Sequence, residues 1–171
     1  MLPVERYDEY AVHRNLQPPR RAILTRVARS FETLVMPNAE EMTAELQRLM
    51  PFVKACGIRI VTAARDGVRG EMDWTPGLCT SSGVMHGGAL MTFADTLGAV
   101  CAVLNLPQGA TTTTTESKTN FFRPIRGGRG CAMSVPIHVG RTLIVVQTDV
   151  RDDADRRIAL VTQTQIVLSP R

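Results

Sequence analysis

The sequence has few of the residues that build disulfide frameworks and metal sites. Four cysteines and three histidines occur among 171 residues. The cysteines lie far apart and form no CxxC pair, so neither a disulfide framework nor a zinc site is expected; they are Cys56, Cys79, Cys101 and Cys131. The scattered histidines do not predict a metal cluster either. Such cysteine usage fits a reducing compartment, and we expect a cytoplasmic protein without a metal.

A long apolar segment and a strong charge imbalance are also missing. The longest apolar run, residues 89–104, is shorter than a membrane span and is interrupted by Asp95. The first residues have no basic stretch followed by an apolar one, so neither a secretory signal nor membrane association is expected. The net charge is +4 and aromatic residues make up only 5%. This balance is compatible with an anionic small molecule, and nucleic-acid binding is not expected.

The residues that are present suffice for one ordinary domain. The chain is 44% apolar and 21% charged, which is a globular composition. Residues 1–35 differ from the rest, because charged residues crowd their start and residues 20–35 carry apolar side chains at helical spacing. We predict an N-terminal helical extension over residues 1–35, either packed on the domain surface or used to bind a partner. Residues 36–171 are predicted to form the domain.

The remaining pattern contains one strongly apolar helix and several strands. Asn38 is placed to cap a helix that begins at Ala39 and runs up to Pro51. From Gly87, hydrophobic residues occupy every side of a helical wheel, which indicates a buried helix of about 27 Å. Strand-like runs with turns between them lie at residues 58–64, 68–74, 111–123, 130–139, 143–151 and 157–168. This order predicts an α+β fold in which an antiparallel sheet of about six strands wraps around one long buried helix.

Two segments of the chain resemble a known family. The first contains His86-Gly87-Gly88 and, nine residues after the histidine, Asp95; the second is Asn120-Phe121-Phe122-Arg123-Pro124. Over residues 40–168 the chain resembles the PaaI-like acyl-CoA thioesterases of the hotdog-fold superfamily. The resemblance implies a hotdog domain that hydrolyses acyl-CoA without a cofactor, coenzyme A being part of the substrate. It also implies homodimers joined sheet edge to sheet edge, often paired into homotetramers, with sites shared between subunits.

Asp95 is the candidate general base or nucleophile. A carboxylate inside a nearly all-apolar helix is costly unless it is paired or hydrogen-bonded. The same surroundings tune the pKa of a general base or a nucleophile. A structural carboxylate bonded near Thr92 or Thr96 would explain the pattern as well, so both interpretations stay open.

Gly87 and Gly88 begin the buried helix. Without side chains, their backbone N–H groups are open to a ligand, and a helix N-terminus favours negative charge. This suits a thioester carbonyl as it becomes an oxyanion, so we assign Gly87 as the oxyanion donor and Gly88 to substrate binding. The alternative is that the two glycines have no role in binding and only allow a tight turn and close packing. His86 either contacts the substrate or holds the loop.

The spacing of these candidates points to a dimer. Gly87 and Asp95 are eight positions apart, which is about 12 Å along one helix. Reacting groups must lie within about 3–3.5 Å of each other. If both residues are catalytic, Gly87 comes from one subunit and Asp95 from another.

Two threonines complete the candidate chemistry. The first is Thr114, which shares one face of a strand with Thr112. The resemblance implies that its hydroxyl orients the attacking water or carboxylate. The alternative is that the threonines are present only because threonine favours strands. Thr80 stands where many family members carry an amide, usually Asn, that positions the carbonyl or water. The shorter reach of its hydroxyl puts rate and substrate range in doubt more than fold.

A basic stretch follows the threonine-rich strand. Lys118, Arg123, Arg126 and Arg129 lie close together in sequence, with no acidic residue nearby except Glu116. Because guanidinium groups bind phosphate well, we assign Arg123 and Arg126 to coenzyme A. Phe121, in the same segment, is assigned to substrate binding. A solvated basic loop is the alternative.

The sequence thus predicts a thioesterase that cleaves a small-to-medium acyl-CoA or aryl-acyl-CoA. Either water activated by Asp95 attacks the carbonyl, or Asp95 attacks it directly. Two other functions stay open. A hotdog hydratase or dehydratase would need an Asp–His pair, which is not apparent. A non-catalytic acyl-CoA-binding or scaffolding protein would fit Thr80 and the unmatched residues 1–35.

Overall fold

A six-stranded antiparallel sheet packs against one long helix in residues 38–168, the part of the chain that this computed structural model describes. The predicted extension over residues 1–35 lies outside the described residues. The elements in chain order are α1 (Ala39–Leu49), α2 (Pro51–Ala55), β1 (Arg59–Ala64), β2 (Gly67–Asp73), a 3-10 turn (Pro76–Leu78), α3 (Gly87–Leu104), β3 (Thr111–Phe121), β4 (Arg129–Val139), β5 (Leu143–Asp152) and β6 (Arg157–Leu168).

The strand order across the sheet is β1-β2-β4-β5-β6-β3, and every neighbouring pair is antiparallel. The chain leaves the sheet after β2, forms α3 and returns at the opposite edge as β3. Strands β1 and β3 are therefore the two edges. The predicted α+β fold with six antiparallel strands and one long helix is confirmed.

Helix α3 provides the centre of the core. Its inward side chains include Phe93 and Leu97, both fully buried, and each contributes about 1.5–3 kcal/mol of hydrophobic free energy. The helix contacts all six strands. Its 18 residues have a mean hydropathy of 1.6, enough for a membrane span by length and composition, but half of this window is buried inside the protein. It thus has the burial of a core helix.

The first helix begins where the sequence predicts it. The Asn38 side chain accepts a hydrogen bond from the Glu41 N–H at 2.9 Å, which satisfies one free donor of the first turn. Met42 and Leu46 are buried on one face. The sequence predicted that this helix extends to Pro51, but it ends at Leu49 and Pro51 begins the short helix α2. Proline suits this place because the first helical position needs no N–H donor.

Strand β3 contains one extra residue. Thr114 pairs with Gln165 of β6 and Glu116 pairs with Thr164, so Thr115 has no partner position. This β-bulge exchanges the two faces of the strand. The face towards α3 carries Thr112 and Thr114 before the bulge, and Ser117, Thr119 and Phe121 after it.

Candidate active site

Asp95 lies in the middle of α3 and faces strands β3 and β6. Its Oδ1 accepts hydrogen bonds from the Gln163 amide nitrogen at 2.6 Å and from the Thr114 hydroxyl at 3.2 Å. Among residues 38–168, Oδ2 has no hydrogen-bond partner. The structure therefore brings Asp95 and Thr114 together and leaves one carboxylate oxygen available.

The two threonines of α3 that offered a structural explanation do not contact the carboxylate. The Thr92 hydroxyl donates to the Gly88 carbonyl and the Thr96 hydroxyl donates to the Thr92 carbonyl. Each bond reaches back one turn along the helix, which is the usual choice for a threonine inside a helix. Neither Thr92 nor Thr96 therefore supplies the bond that the alternative of a structural carboxylate named.

Burial raises the pKa of Asp95 above its ordinary value, because the charged form is poorly solvated there. The hydrogen bonds from Thr114 and Gln163 act in the opposite direction, since they stabilise the carboxylate. Desolvation is the larger effect. A carboxyl group with a raised pKa is a better proton acceptor than an exposed aspartate, which suits a general base near neutral pH.

The start of α3 carries a backbone N–H without an acceptor. The Ala89 and Leu90 N–H groups both donate to the His86 carbonyl, at 2.9 and 3.2 Å. The Gly88 N–H donates to Nδ1 of His86 at 2.8 Å. Within residues 38–168, the Gly87 N–H has no such acceptor. At this helix N-terminus, Gly87 is thus the residue whose N–H is free to bind a substrate oxygen.

His86 is the N-cap of α3. Because Nδ1 accepts the Gly88 N–H, the proton of the neutral ring lies on Nε2. The His86 N–H donates to the Leu78 carbonyl at 2.8 Å, which fixes the loop before the helix. The structure therefore gives His86 and Gly88 a local bond to each other, and the Gly88 N–H is not available to a ligand.

The ring of Phe121 lies over Gly87. A Cβ on Gly87 would be 3.1 Å from Cζ of Phe121, tighter than ordinary van der Waals contact. Any side chain at position 87 would have to push this ring away. Phe121 is itself half exposed, so the ring and the free N–H share one surface. The structure brings these two predicted site residues together.

Thr80 lies in the tight loop before the helix. Its N–H and its hydroxyl both donate to the Val84 carbonyl, and the hydroxyl also contacts Ser82 Oγ at 3.0 Å. The side chain closes residues 80–84 into a turn. The structure therefore occupies the Thr80 hydroxyl locally rather than bringing it to Asp95.

The basic stretch is divided between two surroundings. Arg123 and Arg126 line a cavity of about 330 Å³ together with Arg156. Arg123 donates to the Arg157 carbonyl at 2.9 Å, whereas Arg126 makes no hydrogen bond or ion pair with any of residues 38–168. Arg156 pairs with Asp152, so Arg123 and Arg126 are the arginines of this cavity whose charges are unpaired among residues 38–168, and Arg126 is the one whose side chain is left for a ligand.

Arg129 is not part of this cavity and it has acidic neighbours. Its guanidinium contacts Glu71 at 2.7 Å and Asp153 at 3.6 Å. In the sequence Glu116 is the one acidic residue near this stretch, but the fold brings more distant acids to Arg129. Antiparallel pairing of β4 with β2 brings Glu71 across from a distant part of the sequence.

Sequence reasoning missed two glutamines at this site. Gln163 contacts Asp95, and the Gln165 amide nitrogen donates to the Thr114 hydroxyl at 2.8 Å. Both side chains are buried, at 0% and 1% exposure. Two glutamines at alternate positions of one strand were the available signal, since they share a face.

Comparisons with known proteins agree with this fold. The model of the thioesterase superfamily matches residues 82–159. A protein of Haemophilus influenzae named as a putative esterase is 31% identical over 104 residues, which is 61% of this chain and 75% of that protein. The chain belongs to the thioesterase superfamily. The matched residues contain His86, Gly87 and Asp95.

Solved structures of superfamily members share the architecture. A thioesterase from Haemophilus influenzae superposes with a TM-score of 0.70 at 28% identity, covering 74% of this chain and 90% of that one. A thioesterase family protein from Silicibacter pomeroyi gives 0.70 at 26% identity, covering 78% and 100%. The proofreading thioesterase EntH from Klebsiella pneumoniae is 32% identical over 75 residues, 44% of this chain and 55% of that protein. These likenesses confirm the hotdog fold and support thioester hydrolysis of a small-molecule substrate.

Proposed function

We propose that this superfamily member is an acyl-CoA thioesterase, within the PaaI-like subgroup, that releases a small-to-medium acyl or aryl-acyl group as the free acid. Asp95 either activates the attacking water or attacks the carbonyl itself. The Gly87 N–H receives the developing oxyanion, and the Thr114 hydroxyl holds the carboxylate in place.

The observation that carries this proposal is the state of the Asp95 carboxylate. It lies in an otherwise apolar helix with Oδ1 bonded to two donors, Oδ2 unpartnered within residues 38–168, and a pKa raised by burial. A structural carboxylate is normally satisfied at both oxygens. A free oxygen on a desolvated carboxylate is the arrangement that proton transfer or nucleophilic attack requires.

The active unit proposed here is a homodimer with shared sites, which further pairs into a homotetramer. Strand β3 is an 11-residue edge of the sheet, and an edge of this length is a ready template for pairing with another chain. Asp95 lies behind this edge and bonds to Thr114 of β3. Antiparallel pairing of two β3 strands about a twofold axis would set the two α3 helices in opposite directions. Each Gly87 would then lie towards the partner's end of the shared site.

Exposed apolar side chains near Gly87 are proposed to bind the acyl group. Phe121, whose ring lies over Gly87, and Met91 are exposed to 50% and 38%. Met91 is one helical turn after Gly87, so both lie on one face of α3. This surface would form an apolar slot along the dimer seam, with the thioester carbonyl at the Gly87 N–H.

The nucleotide of coenzyme A is proposed to lie near Arg126. This arginine is unpaired within the described residues and lines a cavity whose other basic members are Arg123 and Arg156. Phosphate binding by guanidinium groups is charge-assisted and geometrically specific. The reaction itself uses water and no cofactor. Four free cysteines are consistent with the cytoplasmic setting that we propose.

The test is release of the free thiol from a panel of acyl-CoA thioesters. We expect turnover by the wild-type protein, and a loss of at least about a hundredfold in kcat for Asp95→Asn, the size typical of losing a general base. Glu116→Gln is the matched control. It removes one carboxylate from β3, but from the face that points away from α3, so its kcat should stay at the wild-type value.

The same assay separates the other functions. Binding of acyl-CoA without any release of thiol would favour the non-catalytic protein. Addition of water to an enoyl-CoA would favour the hydratase, although His86 is engaged as a helix cap rather than paired with Asp95. Wild-type turnover by Asp95→Asn would show that Asp95 has no catalytic role.

A further inference from the structure

Two fully buried glutamines lie side by side on the inner face of β6. Gln163 and Gln165 are 0% and 1% exposed, and glutamine is rarely found so deep in a core. The neighbouring inward residue of the same strand is the apolar Val161. A polar amide at this depth needs hydrogen-bond partners, and here these partners lead to Asp95.

The hydroxyl of Thr114 is saturated by these amides. It accepts from the Gln165 amide nitrogen at 2.8 Å and from the Gln163 amide nitrogen at 3.2 Å. A threonine hydroxyl has two acceptor positions and one proton. With both acceptor positions used, its proton is directed to Oδ1 of Asp95, at 3.2 Å. The Gln165 amide is in turn oriented by the Thr112 hydroxyl, 3.1 Å from its oxygen.

Gln163 approaches the carboxylate closely because Gly98 has no side chain. A Cβ on Gly98 would collide with Oε1 of Gln163 and lie 3.0 Å from its Cδ. Gly98 is three residues after Asp95, nearly one turn along the same face of α3. Oε1 itself is buried without a hydrogen-bond partner in the described chain. The amide is therefore held for the bond that its nitrogen makes and not for a bond to its oxygen.

We propose that Gln163, seated against Gly98 and supported by Gln165 and Thr114, is a positioning residue that occupies Oδ1 of Asp95 and assigns Oδ2 as the oxygen that acts on the substrate or the water. This inference rests on the proposed function, since it refines the role of Asp95. Because two donors hold Oδ1, the carboxylate group is kept from rotating, and Oδ2 is held in one fixed orientation.

Hydrogen bonds from uncharged side chains, and not nearby charges, stabilise the charged form of the Asp95 carboxyl group within residues 38–168. The charged residues of β3, Glu116 and Lys118, lie on the face of that strand that points away from α3. On β6, Arg157 is the only charged residue, at the far end of the strand. His86, which caps the start of α3, lies more than two turns before Asp95. Uncharged donors thus face the carboxylate, and the shorter of the two bonds comes from Gln163.

The test replaces the amide without emptying its space. Gln163→Met keeps an unbranched side chain of similar length and removes the N–H donor. Because it also removes the buried, unpartnered oxygen, we expect a Tm at or above that of wild type. We expect kcat to fall about tenfold or more, KM to change by less than about twofold, and the pKa of Asp95 to rise. Carboxyl ¹³C titration measures that pKa, with the Asp95→Asn variant assigning the resonance.

Two further variants make the result specific. Gln147→Met changes a glutamine of β5 that faces the other side of the sheet, and it should alter neither kcat nor the titration of Asp95. Gly98→Ala displaces the Gln163 amide while keeping it in the chain, and it should raise the pKa of Asp95 in the same direction as Gln163→Met.

The outcomes distinguish this inference from the proposed function. Wild-type turnover by Asp95→Asn would refute the proposed function. The effect of Gln163→Met on the pKa of Asp95 could still be measured in that case. A Gln163→Met protein with wild-type kcat, or with an unchanged Asp95 titration, overturns the positioning role even if Asp95→Asn is inactive. A lower Tm with both of these readouts unchanged would show that Gln163 is only structural.

Discussion

Mixing two inactive variants tests whether the active site is shared between subunits. Asp95→Asn removes the carboxylate and leaves the Gly87 N–H open, whereas Gly87→Val keeps the carboxylate and obstructs the N–H at position 87 with a bulky side chain. The valine would meet the ring of Phe121, since even a Cβ at position 87 lies 3.1 Å from it. That ring is half exposed and has room to move, so we expect the fold to survive.

The size of the recovered activity follows from the geometry. Gly87 and Asp95 of one chain are about 12 Å apart along α3, so a shared site takes one of them from each subunit. A heterodimer of the two variants then has one site with both defects and one site with neither. Equal mixing with full exchange makes about half of the dimers mixed, which should restore about a quarter of the wild-type activity.

The assay is thiol release after the variants are mixed under conditions that allow subunit exchange. Exchange is verified by mass spectrometry with one variant isotopically labelled, and each parent is checked for its Tm. Gly77→Val is the matched control, because a Cβ there meets nothing within 4 Å, and it should be active alone. If exchange is complete and activity stays at the level of the parents, the reasoning from helix spacing is refuted.

Three further predictions concern charge and burial. Arg126→Ala should raise KM for full acyl-CoA thioesters roughly tenfold with kcat nearly unchanged; a truncated thioester without the nucleotide should show no such change, and equal effects on both substrates would contradict phosphate binding. Because burial raises the pKa of Asp95, its contribution to stability is present at low pH and is lost as the pH rises through that pKa. Asp95→Asn should therefore raise Tm more at pH 8 than at pH 4, and an equal gain at both would argue against desolvation. Burial raises the pKa of Cys101 to about 11, so under native conditions a thiol reagent should label the partly exposed Cys79 first and Cys101 only after unfolding; equal rates would contradict the burial of Cys101.

Much of the fold could be predicted because its signals are local. Helix α3 is apolar on all sides, and the turns between strands carry recognisable residues such as Asp66-Gly67. Asp95 stood out for the same reason, as the one carboxylate inside that apolar helix. Short helix α2 was missed because Pro51 was interpreted only as the end of α1, although proline is equally suited to begin a helix.

The alternation of the two glutamines places them on one face, but their burial could not be predicted because β6 gives no clear indication of which face is inward. Residues 162–165 read Thr-Gln-Thr-Gln, so polar side chains lie on both sides of the strand. Strand reasoning identifies the buried face by alternating apolar residues, and here the buried face is itself polar. The ion pairs of Arg129 were missed for a different reason. They depend on which strands become neighbours in the sheet, and this is a property of the topology.

The extra residue at Thr115 has a consequence for changes in chain length. Thr114 and Phe121 are seven positions apart, and an uninterrupted strand would turn them to opposite faces. The bulge lets one strand present Thr114 to Asp95 and Phe121 to Gly87. Loss of any one of the five consecutive threonines, residues 111–115, yields the same shortened sequence. In that sequence only six positions separate Thr114 from Phe121, so a regular strand keeps both on the face towards α3 and keeps Glu116 and Lys118 on the other face. A single codon lost from this repeat therefore removes the bulge and preserves both faces of the strand, whichever codon it is.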